Sequence, residues 1–448
     1  MKRNIDLLHG NILTSLTELA VPIMATSMVQ TAYSLTDMAW IGMVGSDAVA
    51  AVGAAGMYTW LLNGAVAMAK MGGQVRVAQS YGEGKVDEAV EYGKGAAQLA
   101  IAMALSFAVL ANVFAWQLVG FFHLNTASIV ANAVIYLRIA CGMLVFSHLG
   151  QTMTGLYTAV GNSRTPFLAN GVGLVLNMIL DPMLILGLGP FPRLGVAGAA
   201  IATVTAQAVV LAVLLVSARK DSILSRQLRI WKPTSRRHFK SIVRIGFPTA
   251  IQDMIYCSIS MYLTRFVTSW GDAAVAVQRV GGQIEAISWM TAEGFGTAIN
   301  AFTGQNYGAG NLKRVKKGYT TAAGLMFVWG IFTSLLLIFG ATPIFSIFIH
   351  EPEVIPAGAS YLRILGVCEM FMCIELMTVG AMSGLGRTME ASVITIILTA
   401  LRIPMAIVLG TTAMGLDGVW WALTISSIIK GIVFFIYYQR IMRRWNVR

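Results

Sequence analysis

"LVLNMILDPMLILGLG", residues 174–189, is a run of leucine, isoleucine, valine and methionine broken by one carboxylate, Asp181, with Pro182 directly behind it. Stretches of this kind recur along the 448-residue chain, many reaching the roughly 20 apolar residues that cross a hydrocarbon core of about 30 Å as a helix. Hydrophobic residues make up 56% of the chain and charged ones 12%, against about 25% charged in an ordinary soluble domain. A large soluble core would need polar helix faces at the helical period, and most of these stretches lack them. The chain therefore reads as an all-α polytopic membrane protein. Within it an acid such as Asp181 is costly and is retained for function by default.

Apolar runs between turn signals give twelve spans. They are 15–42, 49–80, 87–119, 129–159, 166–188 and 196–218, then 239–267, 275–305, 314–345, 355–383, 389–410 and 418–440. "SLTE", from Ser15 to Glu18, fits a capping box at the first start, which explains Glu18 without a functional role. The net charge of +12 is clumped beside the apolar runs, which fits membrane topology better than nucleic-acid binding. Loops on one face of the bilayer hold 22 Lys and Arg, whereas those on the other hold only Arg193, with Asp47, Asp272, Glu351, Glu353 and Asp417. The positive-inside rule then places both termini in the cytoplasm, in a multi-pass protein of the cell (inner) membrane expected to be a monomer. The N-terminus shows no cleavable signal, so the first span is the expected targeting element. Cys141, Cys257, Cys368 and Cys373 lie inside apolar runs without ligand-pair spacing and read as buried free thiols.

The sequence also repeats. "QSYGEG" (79–84) returns as "QNYGAG" (305–310), and "YLRI" (136–139) as "YLRI" (361–364). "VGSDAVAAVG" (44–53) resembles "SWGDAAVAVQ" (269–278), and "LGVAGAAIA" (194–202) resembles "MGLDGVWWA" (414–422). Four matches in order, at offsets of 220 to 226, imply two pseudo-symmetric six-helix lobes in one orientation. The lobes are 1–218 and 239–448, joined by a basic cytoplasmic linker at 219–238. Paired lobes favour a transporter that opens a cleft to either side in turn, although fold alone does not set function.

Asp181 lies 15 residues into its span from Pro166, or about 22 Å at 1.5 Å per residue. Asp37 lies 22 residues beyond Ser15, about 33 Å along the first span, so both acids belong to the outer half of the first lobe. Tyr33 precedes Asp37 by four residues and Asn177 precedes Asp181 by four, so each polar pair shares a helix face. Pro182 and Pro22 lack an N–H to bond the carbonyls of Met178 and Glu18, and each bends its helix. Desolvation favours the neutral form of a carboxylate, and two carboxylates side by side share a proton or a cation. This is the chemistry of a proton relay or a sodium site. Pairing of the acids with Lys70, Arg76 or Arg138 is the structural competitor. In the second lobe Asp253, Glu285, Glu293, Glu369 and Glu375 share their helices with Arg265, Arg279, Arg363 and Arg402. There, structural pairing and ion coupling are both open. Glu293, near mid-helix, is the preferred acid, and Arg402 stands near the counterpart of Asp181, with Pro404 matching Pro182 at an offset of 222.

The 25 methionines and the aromatics suit either a forgiving cleft or ordinary helix packing. Nothing matches a Walker A loop, a zinc-protease helix, a nucleophile elbow or a paired-aspartate metal motif, and the histidines are scattered at 9, 123, 148, 238 and 350. No enzyme activity, cofactor or nucleic-acid partner is expected.

The stretch "LAVPIMATSMVQTAYSLTDMAWIGMVGSDAVAAVG", the "QxYGxG" pair, "YLRI", "GQNYGAGN" and "MGLDGVWWA" resemble the multidrug and toxic compound extrusion (MATE) family over roughly residues 12 to 440. Asp37, Asn177 and Asp181 resemble the first-lobe cation-coupling cluster of its DinF-like branch, with Tyr33 matching it and Thr203 a looser candidate. The resemblance implies a twelve-helix antiporter. Such a protein exports amphipathic, often cationic small molecules by alternating access as protons or sodium ions enter. A lipid-linked oligosaccharide flippase of the same superfamily is the nearest rival. That function calls for a basic cleft rather than an embedded acid pair. An integral membrane transferase is a further alternative that needs a carboxylate cluster at the membrane surface.

Overall fold

The computed structural model describes residues 4–122, 126–189, 191–221, 223–227, 230–348 and 351–445; His123 and His350 lie outside them. Every regular element among the described residues is helical. The first six spans are α1 (Ile12–Val44), α2 (Ser46–Gly82), α3 (Val86–Val113) continued by α4 (Ala115–Gly120), the pair α5 (Ala127–Gly142) and α6 (Leu144–Ala159), α7 (Arg164–Ile185) and α8 (Val196–Ala218). A short α9 (Leu224–Gln227) follows. The second six are α10 (Arg236–Val267), α11 (Asp272–Gly308), α12 (Leu312–Phe339) with α13 (Ala341–Phe348), the pair α14 (Ile355–Gly366) and α15 (Glu369–Gly384), α16 (Thr388–Ala400) with α17 (Arg402–Gly410), and α18 (Leu416–Trp445).

Eight of these spans are single helices or helix runs long and apolar enough to cross a membrane, and the two bent pairs, α5/α6 at 44° and α14/α15 at 51°, raise the number to ten. The other two, α10 and α11, have 32 and 37 residues, as long as α1 and α2 with 33 and 37. They fall short on composition alone, because Asp253 and Arg265 interrupt one and Arg279, Glu285 and Glu293 the other.

The repeated "QxYGxG" has a local cause. In both copies the helix stops at the first glycine, and the second, Gly84 or Gly310, takes φ of +73° or +72°. Its amide bonds back to Tyr81 O (3.1 Å) or Tyr307 O (3.0 Å), and the next amide to Ser80 O or Asn306 O, each at 2.9 Å. A side chain in this left-handed conformation would cost roughly 1–2 kcal/mol, so both copies keep glycine to end a helix the same way.

One expectation is corrected at the N-terminus. The first helix is capped not by Ser15 but by Asn11, whose Oδ1 accepts from the Thr14 amide at 3.2 Å. Asn11 reaches the third amide of a helix starting one turn earlier, and the Ser15 hydroxyl donates instead to Asp6 O at 3.1 Å. Asn311 caps α12 in the same way, accepting from the Arg314 amide at 3.1 Å.

The chain divides into two compact units. Unit 1 holds Met1–Ile5 and Val21–Ala250; unit 2 holds Asp6–Ala20 and Ile251–Arg448. In unit 1 an apolar core forms around Leu156, Tyr157, Leu214 and Ile242, and the buried Tyr157 hydroxyl donates to Leu214 O at 2.7 Å. The basic linker is ordered against α3. Gln98 Nε2 donates to Ile230 O and Lys232 O (2.7 and 2.8 Å), Arg226 pairs with Asp87, and His238 Nε2 meets Glu88 Oε2 at 2.7 Å. In unit 2 Phe345, Tyr361, Leu362 and Trp420 form one core, and Tyr319 stacks on Tyr438 at 3.9 Å. The segment before α1 also belongs to unit 2: Asn306 Nδ2 donates to Leu7 O at 3.0 Å, and the Arg314 guanidinium donates to Leu7 O and Gly10 O.

Candidate cation-coupling site

In unit 1, α7 packs along α8, and α8 against α5 and α6. The helical spacing that puts Asn177 and Asp181 on one face is realised: Asn177 Nδ2 donates to Asp181 Oδ1 at 3.0 Å, and both residues are fully buried. On α1, Tyr33 and Asp37 are half-buried, as is Thr203 on α8. Helix α7 runs through Pro182 to Ile185, and α1 through Pro22 to Val44, so neither proline ends its helix.

One polar atom on each of the five residues, Tyr33 Oη, Asp37 Oδ1, Asn177 Oδ1, Asp181 Oδ2 and Thr203 Oγ1, is shut off from solvent and makes no hydrogen bond within the protein. Buried polar groups are normally satisfied, so five such oxygens on three helices make this a candidate site, with the Tyr33 hydroxyl and Thr203 Oγ1 near enough to influence each other. The carboxylates lie close enough for the charge on Asp37 to act at Asp181, and both charges act on the Tyr33 hydroxyl. No lysine or arginine forms an ion pair with either acid among the described residues. Of the proposed competitors, Arg76 donates to Gln79 Oε1 at 3.1 Å. Sequence reasoning missed Tyr136 on α5, buried and within reach of both carboxylate charges. Its signal was its place in the repeated "YLRI".

A cavity of about 340 Å³ opens beside this cluster within the same unit. Its polar lining includes Gln30, Asn63, Gln151, Asn170 and Gln207, with no charged residue and no methionine among the lining. Asn63 Oδ1 accepts from Gln151 Nε2 at 3.0 Å, which fixes that amide. Tyr33 lines the cavity too, alone among the five cluster residues. The cavity therefore offers neutral hydrogen-bonding groups, and the methionine-lined alternative does not describe it.

The second lobe is built differently. Glu293, preferred from the sequence, is exposed on α11, and Asp253 on α10 is half-buried. The sequence left it open whether Arg402 neutralises an acid or sits at a coupling site. In the structure the buried guanidinium donates to Ser426 Oγ (3.2 Å) and Ser427 Oγ (2.9 Å), and its charge acts on Glu285. The deepest acids are on α15. Glu375 pairs with Lys430 at 2.8 Å, the two side chains 4% and 5% exposed. Glu369 is fully buried with neither oxygen hydrogen-bonded, and it feels the charge of Glu285. Lys430 was overlooked, although a lysine inside the apolar run "SSIIKGIVFF" is itself the signal.

A family model described as MatE matches residues 22–183 and 248–408, one copy on each lobe. A Thermotoga maritima protein described as a probable multidrug resistance protein NorM is 26% identical over 438 residues, covering 97% of this chain and 93% of that protein. A Shewanella oneidensis protein named an FAD transporter is 26% identical over 447 residues, covering 98% and 97%. Among solved structures, a MATE protein in complex with MaD3S superposes with a TM-score of 0.92 over 100% of both chains at 23% identity. A MOP superfamily transporter from Pyrococcus furiosus superposes with a TM-score of 0.89 over 99% and 98%, also at 23% identity. With two matched copies spanning most of its length and this all-helical fold, the chain belongs to the MatE family of membrane transporters.

Proposed function

We propose that the protein is a cation-coupled antiporter of the DinF-like branch that exports amphipathic compounds across the cell membrane, with both termini cytoplasmic. The observation that carries this reading is Tyr33, which lines the amide-rich cavity while its hydroxyl sits in the electrostatic reach of Asp37 and Asp181. A change of charge in the cluster is thereby felt at the cavity wall. Two neighbouring carboxylates without a basic partner cannot both stay ionised in a low-dielectric setting, so one cation must be held.

The coupling ion in this reading is the proton. Asn177 already donates to Asp181 Oδ1, leaving Oδ2 as the atom that carries a proton. Sodium would have to draw the five orphaned oxygens onto one point. The cavity selects molecules that hydrogen-bond at several places, and the carboxylates supply the preference for positive charge. Anionic lipid-linked cargo would require basic lining, and the cavity lining contains neither Lys nor Arg.

Proteoliposomes test this directly. Efflux of a fluorescent amphipathic cation is followed in sodium-free medium with a pH dye on the opposite side. Proton movement linked to substrate supports the reading. Strict dependence on sodium at fixed pH, without substrate-linked proton movement, overturns the choice of ion.

A further inference from the structure

A second cavity, of about 590 Å³, lies in unit 2 between α12, α15 and α18, with no charged residue in its lining. Its walls are Phe327, Phe371, Ile432, Phe435 and Ile436, of which Phe327, Ile432, Phe435 and Ile436 are 42–47% exposed. Gly324 lines it as well, and a Cβ added there would meet nothing within 4 Å. The result is an apolar groove open along its side rather than an enclosed core defect. From Thr320 to Phe327 it runs about 10 Å along α12 at 1.5 Å per residue.

One end of this groove is basic. On α12 the lining face runs back from Gly324 to Thr320, and one turn earlier the same face carries Lys316 and Lys317. On α18 the face runs from Ile432 through Ile436 to Gln439, and one turn later it carries Arg440 and Arg443. The stack of Tyr319 on Tyr438 puts these two helix ends at one level. All four cations are exposed, and none forms an ion pair among the described residues. The nearby acid Glu390 is already engaged by Arg387 (3.2 Å) and the Tyr437 hydroxyl (2.8 Å).

We propose that this groove seats one anionic phospholipid. An acyl chain lies between α12 and α18, and the phosphate is held by Lys316, Lys317, Arg440 and Arg443. An apolar seat ending in unpaired cations at a membrane surface matches an anionic lipid and no neutral one. The long Lys and Arg stems reach the headgroup level while their methylenes cover the groove mouth.

Native mass spectrometry of the full chain in detergent, with phosphatidylglycerol or phosphatidylcholine added at equal concentration, tests the proposal. One phosphatidylglycerol should be retained in preference to phosphatidylcholine. Its affinity should fall roughly five-fold for each cation removed in the series Lys316→Gln, Lys317→Gln, Arg443→Gln. Gly324→Leu, which fills the groove with the cations intact, should reduce phosphatidylglycerol retention to the phosphatidylcholine level. Each variant is checked for an unchanged unfolding temperature in lipid-free detergent, and Ala323→Phe replaces Gly324→Leu should the latter unfold. Equal retention of the two lipids overturns the proposal. So does charge-dependent binding that a filled groove leaves unchanged, since that is surface attraction without a seat.

Discussion

The two lobes descend from one pattern and treat buried charge in opposite ways. In the first, Asp37 and Asp181 have no ion-pair partner among the described residues, and one oxygen of each makes no hydrogen bond. In the second, Glu375 is paired with Lys430, and Arg402 stands close to where the repeat places Asp181. There Glu369 has both oxygens shut off from solvent without a hydrogen bond, and the Arg402 charge acts on its neighbour Glu285. A duplicated scaffold thus keeps its helices and turns while its charges drift from one use to another. In the proposed reading a pair of carboxylates without a countercharge is what exchanges an ion, whereas an acid locked to lysine holds helices together.

The largest expected effect breaks or upholds this contrast outright. Asp37→Asn or Asp181→Asn keeps the side-chain size and removes the charge, so coupled efflux should fall to the level of empty vesicles in correctly inserted protein. Glu369→Gln in the same assay should leave most of the coupling intact; the reverse pattern would move the coupling site to the second lobe.

Next in size is the ion pair. Lys430→Met leaves Glu375 buried without its partner and should destabilise the protein by about 3–5 kcal/mol in thermal or denaturant unfolding. The double change Lys430→Met with Glu375→Gln should recover most of that loss, as expected for a structural pair. Recovery of stability without recovery of transport would show that the pair does more than hold α15 to α18.

Tyr33→Phe sharpens the contrast more gently. Loss of one hydroxyl at the wall shared by cluster and cavity should cut substrate-linked proton release several-fold and should spare folding. Equal proton-to-substrate ratios in wild type and variant would remove Tyr33 from the coupling route. Smallest is Ser427→Ala, which takes one of two serine acceptors from Arg402 and, with Ser426 still accepting, should lower stability by about 0.5–1 kcal/mol without changing coupling.

Much of this was legible because a bilayer restricts what a sequence can do. All twelve spans fall on helices, since apolar length and turn residues dominate the choice. The bends were not legible. The break at Met143 between α5 and α6 and that at Val367–Cys368 between α14 and α15 carry no proline, yet they sit at matching places in the repeat. Each follows a glycine, Gly142 or Gly366, which weakens a helix, but with 45 glycines in the chain that signal does not single out a bend. Asp37, Asn177 and Asp181 stood out because acids and amides in apolar runs are rare. Tyr136 did not, because a tyrosine in a span is ordinary until its hydroxyl is placed beside two carboxylates. For Glu293, depth along the sequence could not say which way the side chain faces, and the structure leaves it exposed on α11.

The short segment before α1 has a consequence in time rather than in space. Leu7 and Gly10 are bonded by Asn306 and Arg314, residues about 300 positions later in the chain. At roughly 5–20 residues per second, those partners leave the ribosome some 15 to 60 s after Leu7 does. Almost all of unit 1, Val21–Ala250, is one continuous stretch that can close during that interval, while Asp6–Ala20 waits for a unit not yet made. Nascent chains halted before residue 306 should therefore carry a protease-sensitive N-terminus that becomes protected only when synthesis passes Arg314.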